Sequence, residues 1–155
     1  MNDVYYEDIK IGGVYLSEIG RTITDNDNIW FTLLTTNNNQ IHFNSDYTQK
    51  NYSGNPFNGR LVVNGMFTMA IVVGLSVEYT SKNGFMLGIE NVKFKAPVFS
   101  GDTLYAKVEV LDKRESKTHE GFGVVKIKTT GLNQKSEEVM EMVRTFMIPV
   151  KNKKW

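Results

Sequence analysis

Cysteine is missing from the whole 155-residue chain. That absence removes disulfides, a thiol nucleophile and thiolate metal ligands together. Histidine is nearly as scarce: His42 and His119 are the only two, too few for a histidine-based metal centre of the usual kind. No sign of charge dominates either. The 18 basic and 17 acidic residues are mixed along the chain and leave a formal net charge of +1, so there is no single-sign field to draw in nucleic acid or an anionic membrane. The opening MNDVYYEDIK carries acid where a signal peptide carries base, and no apolar h-region follows it, which leads to the expectation of a cytoplasmic protein. A membrane span is lacking too. The most apolar stretch, LVVNGMFTMAIVVGLSV, is interrupted by Asn64 and Thr68 and falls short of the roughly 20 apolar residues a bilayer requires.

What is present suits one globular domain, residues 1–155, since a chain of this length buries roughly 68–70% of its unfolded surface without metal or disulfide staples. The stretch VYLSEIGRTI reads as a strand. Thr24, followed by acids, reads as a helix N-cap, and the helix after it carries Ile29, Trp30, Leu33 and Leu34 at core-facing spacing. Three asparagines, Asn37 to Asn39, should end that helix. Ser45 is expected to cap a short helical turn, and NYSGNPFNGR is a loop by composition. The apolar stretch from about Asn64 to Val77 predicts a helix hydrophobic on every side, hence one wrapped by the rest of the domain. Met66, Met69, Met140, Met142 and Met147 read as core filler.

From Phe85 the rhythm changes to alternation. Four strand candidates, FMLGIENVKFKAP, TLYAKVEVLDKRE, FGVVKIKTTGLN and EVMEMVRTFMIPV, are separated by the turn signals SGD, SKTHEG and NQKSE. Short connections imply antiparallel neighbours, and no βαβ alternation is present. The predicted class is therefore α+β, a curved antiparallel sheet around one long apolar helix, the arrangement called a hot dog.

Two features in the first half could carry chemistry. His42 lies between turn-forming regions, where a loop or helix end presents it beside the core, and Asn37 five residues earlier could aim an amide at the same point. Asn64-Gly65-Met66 opens the apolar helix, where backbone N–H groups lack intrahelical partners and the helix dipole is positive. Gly65, without a side chain, lets a ligand oxygen approach those donors. A thioester carbonyl turning into an enolate is the kind of charge such a site stabilises. Taken singly, each feature also has a plainer reading, as a hydrogen-bonded structural histidine and as a small residue that lets the helix start pack closely. His119, in the hairpin connection SKTHEG, reads as a surface residue.

The order of a histidine loop, then GRLVVNGM, a long apolar helix and FKAPVFSGDTLYAKVEV resembles the MaoC-like dehydratases, which include the (R)-specific enoyl-CoA hydratases. The likeness runs from about Ile19 to Met147. It implies a hot-dog homodimer, or a multiple of dimers, acting on acyl thioesters of coenzyme A with its site at or near the subunit interface. Coenzyme A then enters as part of the substrate, and no separate cofactor or metal is expected. The family's hydratase motif is Asp-x-Asn-Pro-x-His; here it is Asn37-Asn38-Asn39-Gln40-Ile41-His42. His42 and Gly65 are retained. Asn37 replaces the catalytic aspartate, Gln40 the proline and Asn64 a histidine that precedes the glycine, while Val73 falls where the hydratases place a serine. By resemblance His42, Asn37 and Gly65 are the catalytic set, and Asn64, Val73, Arg60 and Asn39 the substrate-binding set. DNDNIWFTLLT and GLNQ look most like the branch that handles mesaconyl-CoA and related branched or dicarboxylic thioesters.

The expected activity is hydration of an enoyl-CoA or dehydration of a 3-hydroxyacyl-CoA, with His42 as general acid/base. The alternatives are a non-catalytic acyl-CoA-binding hot dog and an acyl-CoA thioesterase. The thioesterase is disfavoured because the apolar helix offers a carboxylate only at Glu78, its far end.

Overall fold

The computed structural model describes residues 3–80 and 82–153; the outermost residues of the predicted domain, Met1, Asn2, Lys154 and Trp155, lie outside that set. Strand β1 (Val14–Leu16) and strand β2 (Arg21–Thr22) divide what reads in the sequence as one strand. The interruption has a steric companion at Gly20, where a Cβ would sit 2.6 Å from the Tyr105 ring. Both pieces pair antiparallel with the same later strand, β4 (Thr103–Glu115).

Helix α1 (Asp25–Leu34) starts as predicted: the Asp27 N–H donates to the Thr24 hydroxyl at 3.3 Å, and the Thr24 N–H donates to the Asp27 carboxylate at 2.9 Å. This reciprocal box satisfies donors that the helix start leaves without partners. Its orientation departs from the apolar spacing. Trp30, Leu33 and Leu34 are 66%, 52% and 75% exposed, while Asn28 and Thr32 are completely buried. The inward stripe is polar because α1 packs over loop backbone, whose carbonyls and N–H groups need partners, as well as over apolar side chains. Phe31 supplies the apolar part, stacking on Phe67 at 5.0 Å. Past the helix the left-handed residue is Thr36 (φ 55°), ahead of the asparagines. Helix α2 (Ser45–Asn51) is capped by Asn44, whose side-chain oxygen accepts from the Tyr47 N–H at 3.1 Å, so the expected cap at Ser45 moves back one residue.

Helix α3 (Gly65–Thr80) runs three residues past its predicted end. It lies on an antiparallel sheet whose strands β3 (Phe85–Phe94), β4 (Thr103–Glu115), β5 (Phe122–Leu132) and β6 (Glu138–Pro149) fall on the four candidates. The order is β1-β4-β5-β6-β3. Among the four long strands β4, β5 and β6 pair in sequence, whereas β3 lies on the far side of β6 and becomes an edge. Every residue of β3 is exposed.

The burial of α3 is one-sided. Thr68, Val72, Ser76 and Thr80, each four residues after the last, are its buried residues, and Val72 packs with Leu104, Ala106, Met140 and Met142. Gly131 permits the approach, since a Cβ there would come 2.7 Å from Val72. Ala70 and Gly74 are exposed on the opposite side. Met66, expected in the core, is 49% exposed. The helix is thus covered by the sheet, but a single chain does not wrap it on all sides. Beneath it Arg144 is 2% exposed, donating to the Thr129 hydroxyl at 3.1 Å and the Ser76 hydroxyl at 2.5 Å.

Candidate active site

A cavity of about 310 Å³ opens where the N-terminus of α3 meets the histidine loop and the chain leaving β3; His42, Gly65, Thr68, Phe94, Lys95 and Val98 are among its lining residues. His42 is the last residue of a 3-10 turn, Gln40–His42, opened by Asn39, whose side-chain oxygen accepts from the Ile41 N–H at 3.4 Å. Such a tight turn fits a segment of short polar residues that bond their own backbone.

His42 is 9% exposed and its Nδ1 lies 2.8 Å from the Val62 carbonyl oxygen. A carbonyl can only accept, so Nδ1 carries the proton and Nε2 of the neutral ring keeps its lone pair. An oriented histidine with an unprotonated nitrogen at a cavity is equipped to take a proton from water.

Gly65 is the first residue of α3. Asn64 caps the helix: its side-chain oxygen accepts from the Met66 N–H at 3.0 Å, and its carbonyl accepts from the Thr68 N–H at 2.9 Å. Among the described residues the Gly65 N–H has no acceptor, which leaves it at the positive end of the helix dipole for a ligand oxygen. The space over Gly65 is filled by the Phe94 ring, 3.1 Å from where a Cβ would stand. The sequence therefore pointed to two of the groups that meet here.

The other expected residues are placed differently. The Asn37 side-chain oxygen accepts from the Asn39 N–H at 2.9 Å, a local turn, and Asn37 does not line the cavity. Asn39 shapes the 3-10 turn and is exposed. Asn64 is 4% exposed and spent on its cap and on a 3.3 Å bond to the Thr32 hydroxyl. Val73 packs against the core cluster, and its carbonyl accepts from the Ser76 hydroxyl at 2.6 Å. Arg60 lies 3.8 Å over the Phe99 ring and lines neighbouring depressions with Ser100 and Lys135. His119 is exposed on its hairpin, with Nδ1 2.9 Å from the Thr118 hydroxyl.

Three residues at the site had no signal in the sequence. Thr68 is 2% exposed and lines the cavity. Lys95, at the rim, bonds Glu138 at 2.5 Å and Glu141 at 2.7 Å. The hydrogen bond from Lys95, with a second from Lys128, holds the Glu141 carboxyl down at about 2. The third is Asn28. It donates from Nδ2 to the His42 carbonyl at 2.9 Å and to the Val62 carbonyl at 3.1 Å, and accepts from the Asn64 N–H at 2.8 Å. An asparagine that closes the polar run Asp25-Asn26-Asp27-Asn28 at a helix start ordinarily reads as solvated, which is why it stayed hidden.

A sheet curved on one long helix, with a histidine and a free helix-start N–H at a shared cavity, defines a hot-dog protein. RV0216 from Mycobacterium tuberculosis, described as a double hot-dog fold, superposes with a TM-score of 0.81 at 19% identity, covering 98% of this chain and 46% of that one. The MaoC like domain matches residues 8–132, and the chain belongs to that family. It is 30% identical over 145 residues to the beta-methylmalyl-CoA dehydratase of Chloroflexus aurantiacus, covering 93% of this chain and 40% of the relative's length. The (R)-specific enoyl-CoA hydratase of Rhodospirillum rubrum is 32% identical over 106 residues, with 68% of this chain and 69% of the relative covered. Among the described residues no helix is long and apolar enough to cross a membrane.

Proposed function

We propose that the protein adds water reversibly across the C2–C3 double bond of an enoyl-CoA thioester, with His42 as the acid/base. His42 Nε2 takes a proton from water as the oxygen bonds to C3. The π electrons move to C2 and the thioester carbonyl, and the resulting enolate oxygen is held by the Gly65 N–H. The imidazolium then returns its proton to C2, giving the 3-hydroxyacyl thioester; dehydration is the reverse. No metal enters this scheme, and coenzyme A comes with the substrate. The single observation that carries the reading is that Nδ1 of His42 is committed to the Val62 carbonyl while the ring shares a cavity with Gly65. The names of the matched relatives, a dehydratase and a hydratase of CoA thioesters, support the same chemistry, and a cytoplasmic location suits that substrate class.

Asn37 lies outside the cavity lining with its oxygen engaged locally, so an orienting role for it would act at the mouth of the site, its NH2 group holding water on the way to His42. Arg60, exposed beside the neighbouring depressions, would meet the coenzyme A moiety, with Asn39 at the rim. Asn64 and Val73 would act through the helix they shape. The exposed edge β3 leads directly into the cavity wall at Phe94 and Lys95, which supports a homodimer with its sites at the interface. The thioesterase reading loses further ground because Glu78 lines a separate depression with Ile71 and Leu75.

The test is a panel of linear, branched and carboxylated enoyl-CoA and 3-hydroxyacyl-CoA thioesters, followed by the absorbance of the conjugated thioester. Turnover of any member supports the hydratase. Tight binding of the panel with no turnover instead identifies an acyl-CoA-binding protein.

A further inference from the structure

We infer that Asn28 is the positioning residue that sets the His42 tautomer and fixes the distance between the acid/base and the oxyanion donor. The inference deepens the hydratase reading and rests on it for its kinetic part only.

One side chain, with no exposure to solvent, touches all three backbone pieces that build the site. Its first Nδ2 hydrogen holds the carbonyl of His42 itself at 2.9 Å. Its second holds the Val62 carbonyl at 3.1 Å, the same oxygen that receives Nδ1 of His42 at 2.8 Å. Its Oδ1 takes the Asn64 N–H at 2.8 Å, one residue before the Gly65 donor. The carboxamide presents two donors and an acceptor in one plane, and each is used here. Buried amides that satisfy both ends hold their surroundings in one arrangement, whereas a missing partner leaves a buried polar group stranded.

The chemical consequence follows from which nitrogen of His42 carries the proton. The tautomer is decided by the bond the other nitrogen makes. Here the deciding acceptor is the Val62 carbonyl, which lies outside the regular strands on an isolated bridge to Phe99. The Val62 N–H donates to Ile41 and the Val63 N–H to Val98, so the loop is tied through its donors, but Asn28 is the second partner aimed at the Val62 oxygen. Without that second partner the Val62 carbonyl is free to turn away from Nδ1, and a ring that has lost this acceptor can adopt the other tautomer, with Nε2 protonated and unable to accept a proton from water. The bond to Asn64 links the same amide to the start of α3, so one substitution disturbs both the base and the donor it works with.

The test uses the full chain with Asn28→Leu and Asn28→Asp. Leu removes every bond. Asp keeps the shape and the acceptor for the Asn64 N–H but loses both donors, and serves if the Leu variant does not fold. Thr48→Val is the control: Thr48 is fully buried and its hydroxyl donates to Ser45 and Gly59, away from the cavity. Nitrogen-15 NMR of labelled histidine reads the tautomer without any substrate. The wild type and Thr48→Val should show His42 with Nδ1 protonated, and the Asn28 variants should gain the Nε2-protonated form. On a substrate that the wild type turns over, kcat should fall by roughly 10²-fold, within the span a proton-transfer partner contributes, with KM changed far less and the acid limb of the kcat/KM profile displaced. A His42 tautomer unchanged in a folded Asn28 variant, or a kcat loss no greater than that of Thr48→Val at matched stability, overturns the inference. A wild type that turns over nothing sinks the hydratase reading instead, and the tautomer measurement still decides the role of Asn28.

Discussion

At the scale of single residues, the site is built by His42 and Gly65, which line one cavity, and by Asn28, whose amide bonds the backbone of the histidine loop and of the residue before Gly65. His42 stood out as a lone histidine beside turns, and Gly65 as a small residue opening an apolar helix; both line the cavity. Asn28 and Thr68 did not stand out, because an asparagine and a threonine on helices look the same whether buried or solvated. Their importance comes only from the three hydrogen bonds of the first and the 2% exposure of the second. The matching prediction concerns the groups that meet substrate. His42→Ala should lower turnover by roughly 10²-fold or more, with coenzyme A binding retained, while His119→Ala should leave kinetics untouched; near-normal turnover by His42→Ala would remove the mechanism. Asn37 provides a sharper discrimination. Its oxygen is already engaged by the Asn39 N–H, so Asn37→Asp preserves the turn, and its effect on kcat reports on the other half of the side chain. A kcat change of about tenfold, equivalent to ~1.4 kcal/mol, would show that the amide NH2 holds water. Unchanged kcat for both Asn37→Asp and Asn37→Ala would leave Asn37 as a turn former only.

Elements were more legible than their neighbours in space. The four long strands and α3 follow from period and turn chemistry, which are local properties. The pairing of β3 with β6 is not local: it depends on the crossover between β3 and β4, and nothing in FKAPVFSGD announces which side of the sheet is vacant. Likewise the apolar content of α3 could not tell which face meets the sheet, and the buried stripe turned out to hold two threonines and a serine with one valine. That polar stripe meets Arg144, whose guanidinium burial pulls down to about 10. Burial without a carboxylate costs stability, and the two hydroxyls offset part of that cost. Ser76→Ala should therefore destabilise by about 1–3 kcal/mol by stranding a buried donor, whereas Arg144→Met, of similar length, should be neutral or stabilising in urea unfolding. Where β3 runs out, Lys95 bonds two carboxylates of β6. Glu141 titrates near 2 in the fold against an ordinary 4.5, so the unfolded chain takes up its proton first as the pH drops. The contribution of Glu141 is complete above about 4.5 and vanishes toward 2. The stability gap between wild type and Glu141→Gln should close over that window, and narrow at any pH in high salt because the lysines that pair with this half-buried carboxylate reach solvent.

For the whole molecule, the decisive feature is a surface that one chain leaves open. All of β3 is exposed, with Phe85 at 62%, Leu87 at 47%, Ile89 at 38% and Phe94 at 48%. An apolar edge strand of ten residues is a template for further pairing, which stable monomers blunt with charge, proline or a bulge. Here the pairing with β6 shifts register between Met86 and Gly88 and between Glu90 and Lys93, yet the edge's charges are already paired within the chain, Glu90 to Lys126 at 2.6 Å and Lys93 to Glu141 at 3.5 Å, and its apolar side chains stay open. A two-fold axis through the middle of β3 would join two sheets with the same patch on both copies. Ile89 lies near the midpoint of Phe85–Phe94, so such an axis brings the two copies of residue 89 close together, and Ile89→Lys puts like charges there. Light scattering at micromolar concentration should give a dimer, or a multiple of it, for the wild type and a monomer for Ile89→Lys. Because the strand leads into the cavity wall at Phe94, loss of the dimer should also raise KM for the thioester, while circular dichroism stays that of a folded chain. A wild type that is monomeric at these concentrations would refute both the pairing and an interface-built site; an Ile89→Lys dimer with normal kinetics would move the interface away from β3.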